Sequence, residues 1–215
     1  MGAALIALFK PLGTFTDMQI KTVHGQAVTP YVADLARLRT EVFRAFPYLY
    51  EGSEDYEASY LRTYAQSPES LFVLALDGTR IVGASTGVPM ADAPDAFRAP
   101  FVAAGIDPAG VFYFGESVLL AQYRGRGLGV RFFEEREAYA RRLGRFDWCA
   151  FCAVERPKDH PLRPAGYVPL DDFWGKRGYE HRAALRTVLE WQDIGEAGES
   201  GKPMSFWLKR VPAGG

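Results

Sequence analysis

The sequence predicts an α/β fold, and three observations carry that prediction. Segments of strand-like apolar patterning alternate with segments at helical spacing, in the order β-α-α-β-β-β-α-β-α-β-β. Asp77-Gly78 lies between two apolar runs, the strongest short-range signal for a hairpin. The 215 residues, 48% hydrophobic and 14% aromatic, are enough to bury one substantial core.

Each element has its own reason. Residues 18–23 alternate apolar and polar side chains and read as a strand. Val32, Leu35, Leu38, Val42, Phe43 and Phe46 keep helical spacing until Pro47, whose ring cannot continue a helix. Ser53 is placed to cap a second helix carrying Tyr56, Tyr60, Leu61 and Tyr64 on one face. Residues 71–76 and 81–88 form the hairpin, and residues 89–110, rich in alanine and proline, read as an insertion. Val111-Phe112-Tyr113-Phe114 and Val118-Leu119-Leu120 make a buried strand interrupted at Gly115-Glu116-Ser117. Phe132, Phe133, Tyr139, Ala140 and Leu143 share a helix face, and strands follow at 146–154, 181–191 and 203–209.

The organisation expected is a loosely attached leader at 1–16, one folded unit at 17–210, and a tail at 211–215. Residues 3–9 are apolar but too short to span a bilayer, and they lack a basic leader and a small-residue cleavage site. Gly2 opens an acylation pattern that fails at Ile6, where Ser or Thr is needed. The net charge of −1 points to neither a nucleic acid nor a membrane as partner. Cys149 and Cys152 sit in an apolar strand, where residues three apart face opposite sides, so they are expected to be structural thiols. The scarcity of cysteine fits a reducing cytoplasm. His160 and His181 have no partners at metal-ligand spacing, so no metal is expected.

The chemistry centres on Arg124-Gly125-Arg126-Gly127-Leu128-Gly129, followed by Val130 and the helix. A glycine-rich turn opening a helix exposes main-chain N–H groups and the positive end of the helix dipole, a receptor for phosphate. Arg124, Arg126 and Arg131 add charge around it. A dinucleotide site would place G-x-G-x-x-G early in a βαβ unit, and a P-loop would end in Gly-Lys-Ser/Thr. Neither fits here.

The loop resembles the acyl-coenzyme A loop of the GNAT superfamily of N-acetyltransferases, with Arg124, Gly127 and Gly129 on the family's pattern and Leu128 its aliphatic residue. Phe173-Trp174-Gly175-Lys176-Arg177-Gly178-Tyr179, between the strands at 146–154 and 181–191, resembles the family's later helix end, and the resemblance spans residues 17–210. It implies a twisted, mixed, mostly antiparallel sheet of six to seven strands with helices on both faces. It also implies transfer of an acetyl group from acetyl-CoA to a primary amine of a small molecule by direct attack. Residues 125–130 would then hold the diphosphate. Val118, Leu119 and Leu120 would hold the pantetheine arm, with Leu119 contacting the thioester oxygen.

An amine near pKa 10 is unprotonated in about one molecule in a thousand at neutral pH, so a base is required. Glu116, ionisable within an apolar strand, is the candidate, and Glu155 the reserve. The alternative for Glu116 is a structural carboxylate capping a turn or paired to an arginine. The family's proton-donating tyrosine falls on Trp174, which cannot serve a thiolate, and three explanations stay open: another tyrosine, for which Tyr167 is the candidate, release of the thiolate to water, or a lost activity. The acceptor is expected among Phe46, Tyr48, Tyr50, Glu51, Glu54, Asp55, Glu155 and part of residues 89–110, where aromatics and acids would suit an ammonium group. The alternative is a solvated acidic loop over core aromatics. A non-catalytic acyl-CoA-binding module is the rival to the enzyme. The aromatic C-terminal hairpin is open to a structural role, a homodimer contact or a wall of the acceptor pocket.

Overall fold

The computed structural model describes residues 18–212. The 1–16 leader and the end of the 211–215 tail lie outside the described residues. The chain runs β1 (Met18–His24), α1 (Val32–Phe43), α2 (Glu54–Gln66), β2 (Leu71–Asp77), β3 (Arg80–Pro89), α3 (Asp95–Ala103), β4 (Val111–Tyr113) and β5 (Ser117–Leu119). It continues with α4 (Leu128–Leu143), β6 (Trp148–Val154), α5 (Asp171–Gly175), β7 (Glu180–Trp191) and β8 (Ser200–Arg210).

The strands form one sheet in the order β1-β2-β3-β4-β6-β8-β7, with β5 paired to β3 beside β4. Only β4 and β6 run parallel. The mixed, mostly antiparallel sheet agrees with expectation, but it has eight strands rather than six or seven. The additional strand arises where the run at 111–120 breaks into two pieces with different partners, β4 joined to β6 and β5 left off that path.

Helices cover both faces. Phe97 and Phe101 of α3 pack on Tyr113 and Phe206, on the face shared with α1 and α2. Phe133 and Tyr139 of α4 pack on Phe114 and Phe112 on the opposite face, and Phe173 of α5 packs on Phe133. The segment read as an insertion, 89–110, thus supplies a core helix. Ser53 caps α2, its Oγ accepting from the Tyr56 N–H at 3.3 Å. In the hairpin Asp77 still pairs with Arg80, so the turn is made by Gly78, at φ +60°, and Thr79. No helix of the described residues is long and apolar enough to cross a membrane.

Both cysteines are free thiols on opposite faces of β6. Cys149 is buried, and the Cys152 Sγ lies 3.2 Å from the Tyr113 hydroxyl. Burial pushes each thiol up to about 12 from an ordinary 9.0. Iodoacetamide at pH 8 is therefore expected to leave the native protein unlabelled and to modify both cysteines in denaturant, as counted by mass spectrometry. The same shifts make the fold weaker in alkali. The unfolded thiols ionise near 9 and the folded ones only near 12, so this stabilisation is complete below 9 and lost as pH rises through that interval.

Candidate active site

A one-residue bulge organises the centre of the sheet. Gly115 donates its N–H to the Thr86 carbonyl at 3.2 Å, and the Glu116 carbonyl accepts from the Thr86 N–H at 3.1 Å, so two residues face one. Gly115 is required by close approach, since a Cβ there would lie 2.6 Å from the Thr86 Oγ1. The extra residue shifts the alternation of side chains. Phe114 faces α4, but Glu116, two positions on, faces α1 and α2 instead. Ser117 then returns to the α4 face, where Arg136 donates to its Oγ at 2.9 Å.

Beyond the bulge the sheet opens. The Leu120 N–H is donated to the Val82 carbonyl at 3.0 Å and Val118 pairs with Ala84, so both spend their main chain on β3. Alternation turns the main-chain N–H and C=O of Leu119 to the other edge. Across from it, β6 pairs with β4 only as far as Ala150, leaving the edge from Phe151 to Val154 without a strand among the described residues. An extended ligand has unpaired main chain on both sides of this gap.

Glu116 is buried in a charged node. Its Oε1 is 2.6 Å from the Arg39 Nη1, and its Oε2 accepts from the Thr86 Oγ1 at 2.9 Å. Arg39 also donates to Glu57 and stacks 4.5 Å from the centre of the Tyr60 ring. The pairing that competed with the catalytic reading of Glu116 is therefore present. Tyr60, Tyr64 and Tyr113 complete this interior, their hydroxyls held protonated by burial. On the α4 side Arg136 is buried and donates to the Phe132, Thr86 and Glu116 carbonyls at 3.0, 3.3 and 3.2 Å. Burial lowers its pKa to about 10, which leaves it charged at neutral pH.

The glycine loop follows directly. Tyr123, immediately before it, donates to Asp77 at 2.7 Å, so the hairpin turn anchors the loop. Gly125 and Gly127 adopt φ of +74° and +81°, and a Cβ at either would enter open space. Gly127 is the N-cap of the sixteen-residue α4, and no side chain caps that end. The first-turn N–H groups at Leu128, Gly129 and Val130 thus lack intrahelical acceptors. Arg124 and Arg126 are exposed beside them, whereas Arg131 is paired within α4 to Glu134 and Glu135. Gly129 serves packing as well, since a Cβ would lie 3.3 Å from the Phe173 ring. The residues present fit a diphosphate.

The acceptor side is built from three connections. Tyr48 packs against Phe43 and Trp191, and burial raises its hydroxyl above the usual range. Tyr50 makes an isolated bridge with Asp193 and is raised by burial and by Glu57. Tyr167 packs edge-on to Phe46 at 4.6 Å and is also raised by burial. Glu155 and Glu51 are paired to Arg186 and Arg44. Glu54 and Asp55 lie in the first turn of α2, where acids complement the helix dipole. Arg156 ties these segments together, donating to Pro47 and Tyr48 carbonyls at 2.7 and 2.8 Å and to both Asp193 oxygens at 2.6 and 2.8 Å.

No protein-family model and no curated sequence matches the chain. Solved structures do. An acetyltransferase of the GNAT family from Streptococcus pneumoniae is 16% identical at a TM-score of 0.54, over 91% of this chain and 100% of that one. An Acinetobacter baylyi protein classed as an acetyltransferase is 14% identical at 0.60, over 94% and 98%. A Salmonella typhimurium protein, also so classed and solved with its cofactor acetyl-CoA, is 10% identical at 0.57, over 92% and 95%.

The chain has the GNAT fold. On this GNAT scaffold Trp174 packs against Phe151 and Trp207 at 5.1 Å each, so the indole in the expected tyrosine position fills a wall. Sequence reasoning passed over Arg39, Glu57, Arg136, Arg156 and Asp193. A signal existed for Arg136, which stands between Phe132, Phe133 and Tyr139 on the apolar face of its helix.

Proposed function

We propose that this chain is a cytoplasmic N-acetyltransferase that moves an acetyl group from acetyl-CoA to a primary amine of a small molecule. The observation that carries the reading is the opening of the sheet at Leu119, joined through one short segment to an uncapped glycine helix start at Gly127. Main-chain N–H groups at 125–130, with Arg124 and Arg126, would hold the diphosphate. The Leu119 edge would hold the pantetheine arm and offer its N–H to the thioester oxygen.

The amine nitrogen attacks the thioester carbon, and the carbon–sulfur bond breaks as the amide forms. Glu116 accepts the proton released by the amine, and the Tyr167 hydroxyl supplies one to the departing thiolate. Tyr48, Tyr50 and Glu155 line the acceptor side.

Calorimetry with CoA, followed by thiol release from acetyl-CoA across an amine panel, tests the reading. The native chain is expected to bind CoA and turn over. Gly127→Val, which forces a β-branched residue to positive φ, is expected to weaken CoA binding about 10-fold or more while remaining folded. Absence of CoA binding to the native chain would overturn the reading. Binding without turnover would assign it to a non-catalytic acyl-CoA module.

A further inference from the structure

Two of the acids that the local sequence offers to an ammonium group, Glu51 and Glu155, are neutralised by arginines in the folded chain. Four acids of the acceptor opening are matched, Glu51 with Arg44, Glu155 with Arg186, and Glu57 and Glu116 with Arg39, whereas Glu54 and Asp55 stay exposed in the first turn of α2. Arg163, in the connection between β6 and α5, forms no salt bridge among the described residues. Its guanidinium lies 4.9 Å from the centre of the Tyr167 ring and 5.8 Å from that of Phe46. Among the described residues no carboxylate lies within 4.0 Å of it.

This arginine is set in place by a stiff connection. The Arg163 N–H is donated to the His160 carbonyl at 2.9 Å, the Tyr167 N–H to the Pro164 carbonyl at 3.0 Å, and the Leu162 N–H to the His160 Nδ1 at 3.2 Å. Pro157, Pro161, Pro164 and Pro169 restrict the backbone further. A stacked, planar guanidinium loses little freedom on binding, and its fork matches a carboxylate. Phe46 and Tyr167 stand beside the guanidinium, His160 packs on Phe46 at 5.7 Å, and Leu162 is exposed in the same connection, so an apolar side chain has surface to lie on.

We propose that Arg163 is a carboxylate-binding residue and that the acceptor is an amino acid with an apolar side chain rather than a simple amine. This rests on the acetyl-transfer reading, and the test separates the two.

Initial rates are compared for matched pairs, L-phenylalanine with phenethylamine and L-leucine with isopentylamine. The amino acid is expected to have a kcat/KM about 10-fold or more above that of its amine, the scale of one charge-assisted hydrogen bond. In Arg163→Gln the ratio is expected to fall toward one, and Arg163→Lys to keep part of it. Amines used as well as their amino acids, or equal losses for both members in Arg163→Gln, would overturn the proposal. Should no acceptor be turned over, that result counts against transfer alone, and binding decides Arg163. N-acetyl-L-phenylalanine and N-phenethylacetamide are then titrated with CoA present. A preference of about 10-fold for the carboxylate that Arg163→Gln abolishes supports the site. Equal binding, or none, overturns it.

Discussion

Glu116→Gln is expected to lower kcat about 100-fold or more, the scale of general base catalysis, with the KM for acetyl-CoA changed less than about twofold. The substitution is nearly isosteric. Arg39 keeps Glu57 as its ion-pair partner, and the glutamine carbonyl can still accept from the Thr86 Oγ1. The bulge is formed by main chain, so its register does not depend on the carboxylate. What the variant loses is a side-chain oxygen able to take a proton from the amine. Steady-state kinetics with thermal melting in parallel make the check. A variant with undiminished turnover and a lower Tm would make Glu116 an anchor for Arg39 and would remove it from the chemistry.

The distinction turns on partners that the local sequence does not display. The break at 115–117 was legible as polar residues within an apolar run, and the loop at 124–129 was legible from its glycines. The face that Glu116 occupies was not. A strict two-residue alternation from Phe114 sends it toward α4, and only the one-residue bulge opposite Thr86 turns it to Arg39 and Glu57. The same reason explains why the acids at 51 and 155 suggested an ammonium site. A carboxylate in a sequence carries its charge openly, but the arginine that neutralises it comes from another element, as Arg186 of β7 does for Glu155. Among the described residues Arg163 has no carboxylate within 4.0 Å, and that too is visible only in three dimensions. Trp174 shows the opposite case. The residue type alone excluded a proton donor, and packing against Phe151 and Trp207 gives the indole a use.

Arg156→Ala is expected to cost about 3 kcal/mol, the range for removing one partner of a buried ion pair. The reason lies in what remains. Asp193 is almost wholly buried, and without Arg156 its carboxylate keeps, among the described residues, only the Trp191 Nε1 at 2.8 Å and the Lys202 Nζ at 3.5 Å. The Pro47 carbonyl loses its Arg156 donor, and Tyr48 keeps only the weaker bond from Trp191 at 3.1 Å. For a chain of this size the loss corresponds to a fall in Tm of about 6–12 °C. Asp193→Asn added to Arg156→Met removes the stranded charge and fills the stem of the lost side chain. The double variant is therefore expected to be more stable than Arg156→Ala, a non-additivity that denaturant titration measures directly. Function should divide along the same line. Arg156 holds the connection bearing Phe46, Tyr48 and Tyr50 against the β7–β8 hairpin, whereas Leu119 and the 125–130 loop lie on other elements. At temperatures where the variant is folded, the KM for the acceptor should rise while CoA affinity is retained. A parallel loss of CoA affinity would mean that the clamp supports the whole cleft rather than the acceptor wall.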